Sequence, residues 1–216
     1  MGNPFKLKKD EKENVVTKIL NVTKPQESIK EQIIMVTQRL DAQSRTLEAA
    51  VRRFEMRDAE MFRKVVRAME NREQARANIY ATELGEIRKV GKMLSHASLA
   101  LQSVSMRLNT VSEMGDLVTV LSPAKTVLNG VCSEMFGIMP EASQELENIG
   151  GILSEICSTT SSQYTDNSIN VQAANEEALK ILEEAEIAAE NKLEDKLPKI
   201  SSTAIHNTAK RRIIEA

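Results

Sequence analysis

The chain has 216 residues, a net charge of −2, four Phe, two Tyr and no Trp. So few aromatic residues exclude a large aromatic core, and Leu, Ile, Val, Met and Ala must supply the packing of one domain, or of one domain with a tail. The two cysteines, Cys132 and Cys157, cannot build a disulfide framework and fit a reducing compartment. No stretch approaches the roughly 20 apolar residues of a membrane span, and no signal peptide is recognisable, so a cytoplasmic protein is expected.

The small net charge conceals an uneven distribution along the chain. Residues 1–130 hold 22 Lys/Arg against 16 Asp/Glu, whereas residues 131–216 hold 7 against 15. A basic part can bind the acidic part of the same chain, or can exchange it for an anionic surface. The alternative interpretation is two separately solvated faces.

Residues 1–24 are predicted to form a basic segment that contacts membranes. Two apolar side chains are interleaved with three lysines in the run Phe5, Lys6, Leu7, Lys8 and Lys9. Such a wedge can enter a lipid interface while its lysines bind anionic headgroups. One copy binds weakly, but many copies along a polymer bind together by avidity. A disordered basic tail is the alternative.

The central feature of the sequence is residues 26–84, which contain neither glycine nor proline and are rich in helix-forming residues. Apolar residues recur in steps of three and four, which indicates helices and not strands. The recurring residues include Ile29, Ile33, Val36, Leu40, Leu47, Ala50 and Phe54, and later Leu84, Ile87, Leu94, Leu101, Val104, Leu108 and Val111. One helix would extend roughly 90 Å with its apolar stripe uncovered, so an antiparallel hairpin is predicted.

The bend of this hairpin is predicted at residues 57–60, where the stripe loses its apolar member and Asp58 can cap a new helix. One arm would then cover residues 26–56, and the other about 59–111. Because no glycine or proline marks the bend, one continuous helix is the alternative.

Shorter helices are predicted after the hairpin. Ser122 and Pro123 are expected to begin one that ends near Met135. Pro140 precedes another, over about 141–157, which Gly150 and Gly151 would loosen.

The chain after residue 158 divides into a polar linker, residues 159–170, and an acidic helix, residues 171–197. The helix is expected to place its apolar residues on one face and many carboxylates on the others, so it can fold back on the basic hairpin and act as an autoinhibitory helix. A solvated coiled-coil element is the alternative. The expected apolar residues are Leu179, Leu182, Ala185, Ala189 and Leu193.

Six short stretches together resemble one known family, in their glycine and proline positions as well as in their apolar residues. They are residues 80–90 (YATELGEIRKV), 99–102 (LALQ), 107–111 (RLNTV), 114–118 (MGDLV), 121–124 (LSPA) and 137–142 (GIMPEA). This pattern resembles the ESCRT-III fold of archaeal cell-division B proteins, the CdvB type, over about residues 25–160. The resemblance implies an all-α core at residues 25–158, a long antiparallel helical hairpin with shorter C-terminal helices packed against it. It also implies that the chain opens and polymerises with itself and its paralogues on membranes.

The tail, residues 190–216, contains a candidate motif for docking on the MIT domain of an AAA ATPase. The residues that resemble the ESCRT-III docking motif are Glu190, Leu193, Lys196, Leu197, Pro198 and Ile200. Lys196 replaces an arginine of that motif, Ile200 replaces a leucine, and Pro198 would break a helical version. The match is therefore closer to the extended, proline-containing variant, which lies in a groove between helices. A chance match is the alternative.

No catalytic, metal-binding or cofactor-binding constellation is recognisable. His96 and His206 lack metal-ligand spacing, the two cysteines are interpreted as small buried hydrophobes, and no phosphate-binding glycine loop is present. Basic residues are not interleaved with aromatic ones as in nucleic-acid-binding proteins, so nucleic acid is not an expected partner. The chain is predicted not to be an enzyme.

Together with the resemblance, these features predict a polymer subunit that assembles on membranes to constrict or sever them in cell division. It would be peripherally bound at the division site and disassembled by the partner ATPase. Besides the N-terminal segment, four arginines are expected to contact anionic lipid: Arg39, Arg45, Arg52 and Arg53. The alternative is a passive coiled-coil scaffold or adaptor without membrane activity.

Overall fold

The computed structural model describes residues 25–111, 117–163 and 171–197, which form five helices and no strand. The helices are α1 (Pro25–Glu70), α2 (Gln74–Asn109), α3 (Leu117–Met135), α4 (Pro140–Gln163) and α5 (Val171–Lys196). Helices α1 and α2 pack against each other as an antiparallel hairpin, and the three shorter helices lie beside it. The predicted all-α, ESCRT-III-like class is confirmed.

The hairpin is held together by large apolar residues that recur at helical spacing. Val36, Leu40 and Leu47 of α1 are fully buried, as are Leu94 and Leu101 of α2. At 46 residues, α1 is roughly 70 Å long, so its stripe must be covered along much of its length. Helix α2 covers it by returning along the same path.

The predicted bend at residues 57–60 is wrong, because α1 continues through it to Glu70. Asp58 does not cap a helix: its side chain is 2% exposed and accepts a hydrogen bond from Arg88 Nε of α2 at 2.7 Å.

The observed turn is residues 71–73, and Arg72 occupies the left-handed region with φ 61°. The amide of Glu73 donates to the carbonyl of Ala68 at 2.9 Å, and the amide of Arg72 donates to that of Met69 at 3.1 Å. This pair of hydrogen bonds is the Schellman motif, which usually places glycine where Arg72 lies. Because arginine and not glycine lies at this position, the sequence does not predict the turn here.

Polar side chains fix the register of the hairpin. Ser44 Oγ lies 3.1 Å from Ser98 Oγ, and Ser105 donates to Asp41 at 2.6 Å. Gln102 donates to Ser44. Because these groups are buried or half-buried, a shift of one arm along the other would leave several without partners, which is costly.

The shorter helices cover one end of the hairpin. Helix α3 packs on α2, α4 packs on α1 and α3, and α5 packs on α2 and α3. Beyond them, residues 59–86 bury Ala68, Ala77 and Leu84 as their core. Arg39 of α1 pairs with Glu145 of α4 at 2.6 Å and joins the two layers.

Two of the predicted boundaries differ from the structure. Helix α3 begins at Leu117, so Pro123 lies inside it and Ser122 does not cap it. Burial of Leu117 and Leu121 extends the helix and outweighs the backbone hydrogen bond that a proline removes. Helix α4 extends to Gln163 and continues through Gly150.

Candidate functional site at the contact between α5 and the hairpin

Helix α5 lies along α2 and α3 through a face of small residues, and we call this surface the α5–hairpin contact. Its buried residues are Ala174, Ala178, Ile181, Ala185, Ala189 and Leu193. The predicted inclusion of Leu179 is wrong, because that side chain is 65% exposed. Alanines allow close approach of the helices, but each removes little apolar area from water, so the contact gains modest hydrophobic energy.

Ion pairs connect the acidic side of α5 to the basic side of the hairpin. Lys92 Nζ lies 3.3 Å from Glu186 and 2.5 Å from Glu190, and Arg107 pairs with Glu177. The hydrogen bond that Lys92 donates to Glu190 is the main cause that raises the pKa of Lys92. All five side chains are more than a third exposed, so each pair contributes only about 0.3–0.5 kcal/mol and is weakened by salt.

His96 of α2 lies at the centre of the contact and touches two other helices. Its Nδ1 is 3.0 Å from Glu134 Oε2 of α3, and its Nε2 is 3.1 Å from the backbone carbonyl of Leu182 of α5. The side chain is 17% exposed. The hydrogen bond to Glu134 is the largest influence on the pKa of His96, which is raised although burial opposes the change.

Four of the six residues of the candidate docking motif are described, and they contact the hairpin. Glu190 pairs with Lys92, and Lys196 Nζ lies 2.9 Å from Glu55. Leu193 is buried, and Leu197 is half-buried. Pro198 and Ile200 lie outside the described residues. Leu193 and Leu197 line a cleft together with Val51, Phe54, Glu55, Asp58, Ile87, Arg88 and Gly91.

The arginines predicted to contact lipid have different surroundings. Arg45, Arg52 and Arg53 are exposed on α1, and Arg52 lies 4.0 Å from Glu48 of its own helix. Arg39 instead pairs with Glu145. The remaining predicted lipid contacts lie outside the described residues: Phe5, Lys6, Leu7, Lys8 and Lys9.

The described residues contain no group of three or more His, Cys, Asp or Glu side chains placed to hold a metal ion. Within the same ranges no helix is long and apolar enough to cross a membrane. Cys132 Sγ contacts the hydroxyl of Ser143 at 3.2 Å, and burial raises the pKa of the Cys157 thiol. Helix α3 and helix α4 therefore hold these thiols in packed surroundings, and His206 lies outside the described residues.

The sequence does not predict the roles of two polar residues that join helices of the fold. The sequence offers His96 only as a metal ligand without a suitable spacing, but in the structure it joins α2 to α3 and α5. The sequence predicts Asp58 as a helix cap, but in the structure it pairs with Arg88. The available signal was their position: each is a polar residue within an apolar helical stripe, where a buried partner is required.

The relatives found by comparison with known proteins include two from Sulfolobus acidocaldarius. Cell division protein B1 is 33% identical over 186 residues, which cover 86% of this chain and 86% of that protein. Cell division protein B is 33% identical over 168 residues, which cover 78% of this chain and 64% of that protein. No protein-family model matches the chain, and no solved structure matches it.

Proposed function

The chain belongs to the family of archaeal cell division proteins B, and we propose that it is a polymer-forming subunit that assembles on membranes to constrict or sever them during cell division. In this proposal the subunit is held in the cytoplasm with α5 on the hairpin, and assembles at the division site after α5 leaves. It binds anionic lipid and further subunits of the same family, and has no catalytic activity of its own.

The observation that carries the proposal is the composition of the α5–hairpin contact. Four of its six buried residues are alanines, the other two are Ile181 and Leu193, and half-exposed ion pairs and His96 complete it, in contrast to the leucine-rich seam between α1 and α2. A helix held by small apolar areas and solvent-screened charges can leave at low cost, whereas the hairpin stays intact. The fold therefore contains one strong interface and one weak interface.

Departure of α5 changes the charge of the surface that it covers. Lys92 loses two carboxylate partners and Arg107 loses one, and both cations lie on α2. A hairpin with newly unpaired cations attracts anionic surfaces more strongly, and a membrane rich in acidic lipids is such a surface. The same event uncovers the apolar residues under α5, which favours contact with another subunit.

We propose further that residues 190–200 bind the MIT domain of an AAA ATPase, which removes subunits from the polymer. In the closed arrangement Leu193 is buried against the hairpin and Glu190 is ion-paired with Lys92. The motif therefore becomes accessible to a partner only after the end of α5 detaches. Removal of subunits would then act on assembled, open chains.

The second candidate is a passive coiled-coil scaffold or adaptor. It is favoured by the long, mostly uncovered hairpin segment of residues 59–86, a shape common in proteins that hold partners apart. A scaffold keeps a discrete oligomeric state with or without α5, whereas polymer subunits assemble into filaments of unlimited length once α5 is removed.

The test is flotation with anionic liposomes, comparing the full chain with a truncation to residues 1–165, and negative-stain imaging of both. We expect the truncation to float and to form filaments or rings while the full chain stays largely unbound. Neutral phosphatidylcholine liposomes are the control for charge. If neither protein floats and both remain discrete oligomers, the membrane role is refuted and the scaffold is the better description.

A further inference from the structure

The hydrogen-bond acceptors around His96 suit the charged form of its ring better than the neutral form. Both ring nitrogens face hydrogen-bond acceptors, the Glu134 carboxylate at 3.0 Å and the Leu182 carbonyl at 3.1 Å. A neutral imidazole carries one N–H, so it can donate to one acceptor while its other nitrogen presents a lone pair to the second. Only the imidazolium donates to both.

We infer that the α5–hairpin contact binds a proton at His96, so that loss of this proton weakens the hold of the hairpin on α5. The two acceptors come from different helices, Glu134 from α3 and Leu182 from α5. When α5 leaves, water replaces the Leu182 carbonyl. Water can donate to the bare nitrogen, and a neutral ring is then satisfied. The closed arrangement therefore prefers the charged ring more than the open one does.

The charges around His96 favour the same direction. On α3 it faces Glu134, and on α5 the carboxylate of Glu186 acts on it at longer range. On its own helix, Lys92 is occupied by Glu186 and Glu190. The hydrogen bond to Glu134 contributes most to the raised pKa of His96, and desolvation acts against it.

Glu134 is the largest influence on the pKa of His96, but it lies on α3 and stays in place when α5 leaves. The sign of the pH dependence follows from the two α5 groups that also raise this pKa, the Leu182 carbonyl and the Glu186 carboxylate, because they act only in the closed state. Below the ordinary histidine pKa of 6.5, both states hold the proton and the full contribution to the closed state is present. As pH rises through the closed-state pKa, the contribution is lost. The equilibrium for opening of α5 should increase about tenfold for every unit that separates the closed and open pKa values of His96.

The chain permits a direct measurement because it contains two histidines, His96 and His206. The full chain with His206→Gln leaves one imidazole, whose Cε1–H signal can be followed by NMR between pH 5 and 8.5. We expect it to titrate above the ordinary value, and Glu134→Gln to lower its midpoint while the fold is retained. A midpoint at or below the ordinary value would overturn the inference.

Opening of α5 is measured separately, by hydrogen exchange of the α5 amides over the same pH range after correction for intrinsic exchange rates. We expect opening to increase with pH in the unaltered chain and in His206→Asn, and to lose most of this dependence in His96→Asn. An unchanged dependence in His96→Asn would also overturn the inference. His96→Gln replaces His96→Asn, with the same expected and contrary outcomes, if circular dichroism shows that His96→Asn unfolds.

The linkage between the His96 proton and α5 is independent of the proposed function. Its consequence, that a less acidic environment favours assembly, rests on the proposed function. Neither measurement uses liposomes or filaments, so the outcomes are distinguishable. Failure of proton linkage leaves the flotation test unaffected, and failure of flotation leaves the His96 titration unaffected.

Discussion

The ion pairs of the α5–hairpin contact give the sharpest test of how α5 is held. We consider the triple substitution Glu177→Lys, Glu186→Lys and Glu190→Lys, which removes the partners of Arg107 and Lys92. Three half-exposed pairs at about 0.5 kcal/mol each give about 1.5 kcal/mol, and repulsion between like charges adds a similar amount. A total of about 3 kcal/mol corresponds to roughly a hundredfold increase in the opening equilibrium at low salt.

The assay is hydrogen exchange of α5 peptides, read by mass spectrometry, because exchange of stable helices reports the free energy of opening. The matched control is Glu176→Lys, Glu183→Lys and Glu184→Lys, which makes the same charge change on the same helix. These three residues are exposed and make no ion pair within the described part of the chain. The hairpin peptides provide an internal reference in both proteins.

We expect α5 to lose protection in the first protein and to keep most of it in the control. The difference should shrink in 0.5 M salt, where the screening length is about 4 Å. Equal loss of protection in both proteins would show that overall charge, and not the specific pairs, holds α5. Unchanged protection in both would show that the alanine face alone is sufficient.

Three further predictions concern other parts of the chain. Arg72→Gly should stabilise the protein by about 0.5–1 kcal/mol, because relief of the left-handed strain exceeds the added entropy of the unfolded chain. Thermal unfolding measures this gain, and Arg72→Ala, which keeps the strain, should show none. Asp58→Ala should lower the free energy of unfolding by about 1–2 kcal/mol, since Arg88 is 30% exposed and regains some water. A double-mutant cycle with Arg88→Ala, measured by urea unfolding, should show positive coupling between the two residues. Simple additivity would mean that the pair contributes little. Arg52→Glu with Arg53→Glu should reduce liposome binding with little change in melting temperature, because both side chains are exposed; a lowered melting temperature with unchanged liposome binding would show that these arginines are structural.

The hairpin and the last helix were predictable because their information is local. A long stretch without glycine or proline, with apolar residues three and four apart, has few alternatives to an amphipathic helix. The extent of α5, Val171–Lys196, matches the predicted residues 171–197 within one residue for the same reason. Its buried face was predicted less well: Ala185, Ala189 and Leu193 are buried, but Leu179 faces solvent. Choosing the face requires knowledge of the surface that it meets.

The candidate site was predictable only in part. The acidity of α5 indicated that it can fold back on basic residues, but it did not indicate which residues form pairs. Lys92 and Arg107 are two among many cations of the hairpin, and they pair because α5 runs antiparallel to α2 at that position. His96 gained its partners from two helices distant in sequence, a coincidence that no local pattern encodes.

The sequence by itself determined the helical class, the hairpin and the acidic character of α5, because helix propensity and apolar periodicity act over a few turns. Only the tertiary structure decided where the hairpin turns. In the sequence alone, Asp58 interrupts the apolar stripe and predicts a bend. In the fold, Arg88 of α2 pairs with Asp58, so α1 continues, and the turn forms later, where Arg72 takes a strained left-handed conformation. The tertiary structure also decided the direction in which the pKa of His96 is shifted, since the pKa of a half-buried group depends on which acceptors, here chiefly Glu134, the folded chain places around it.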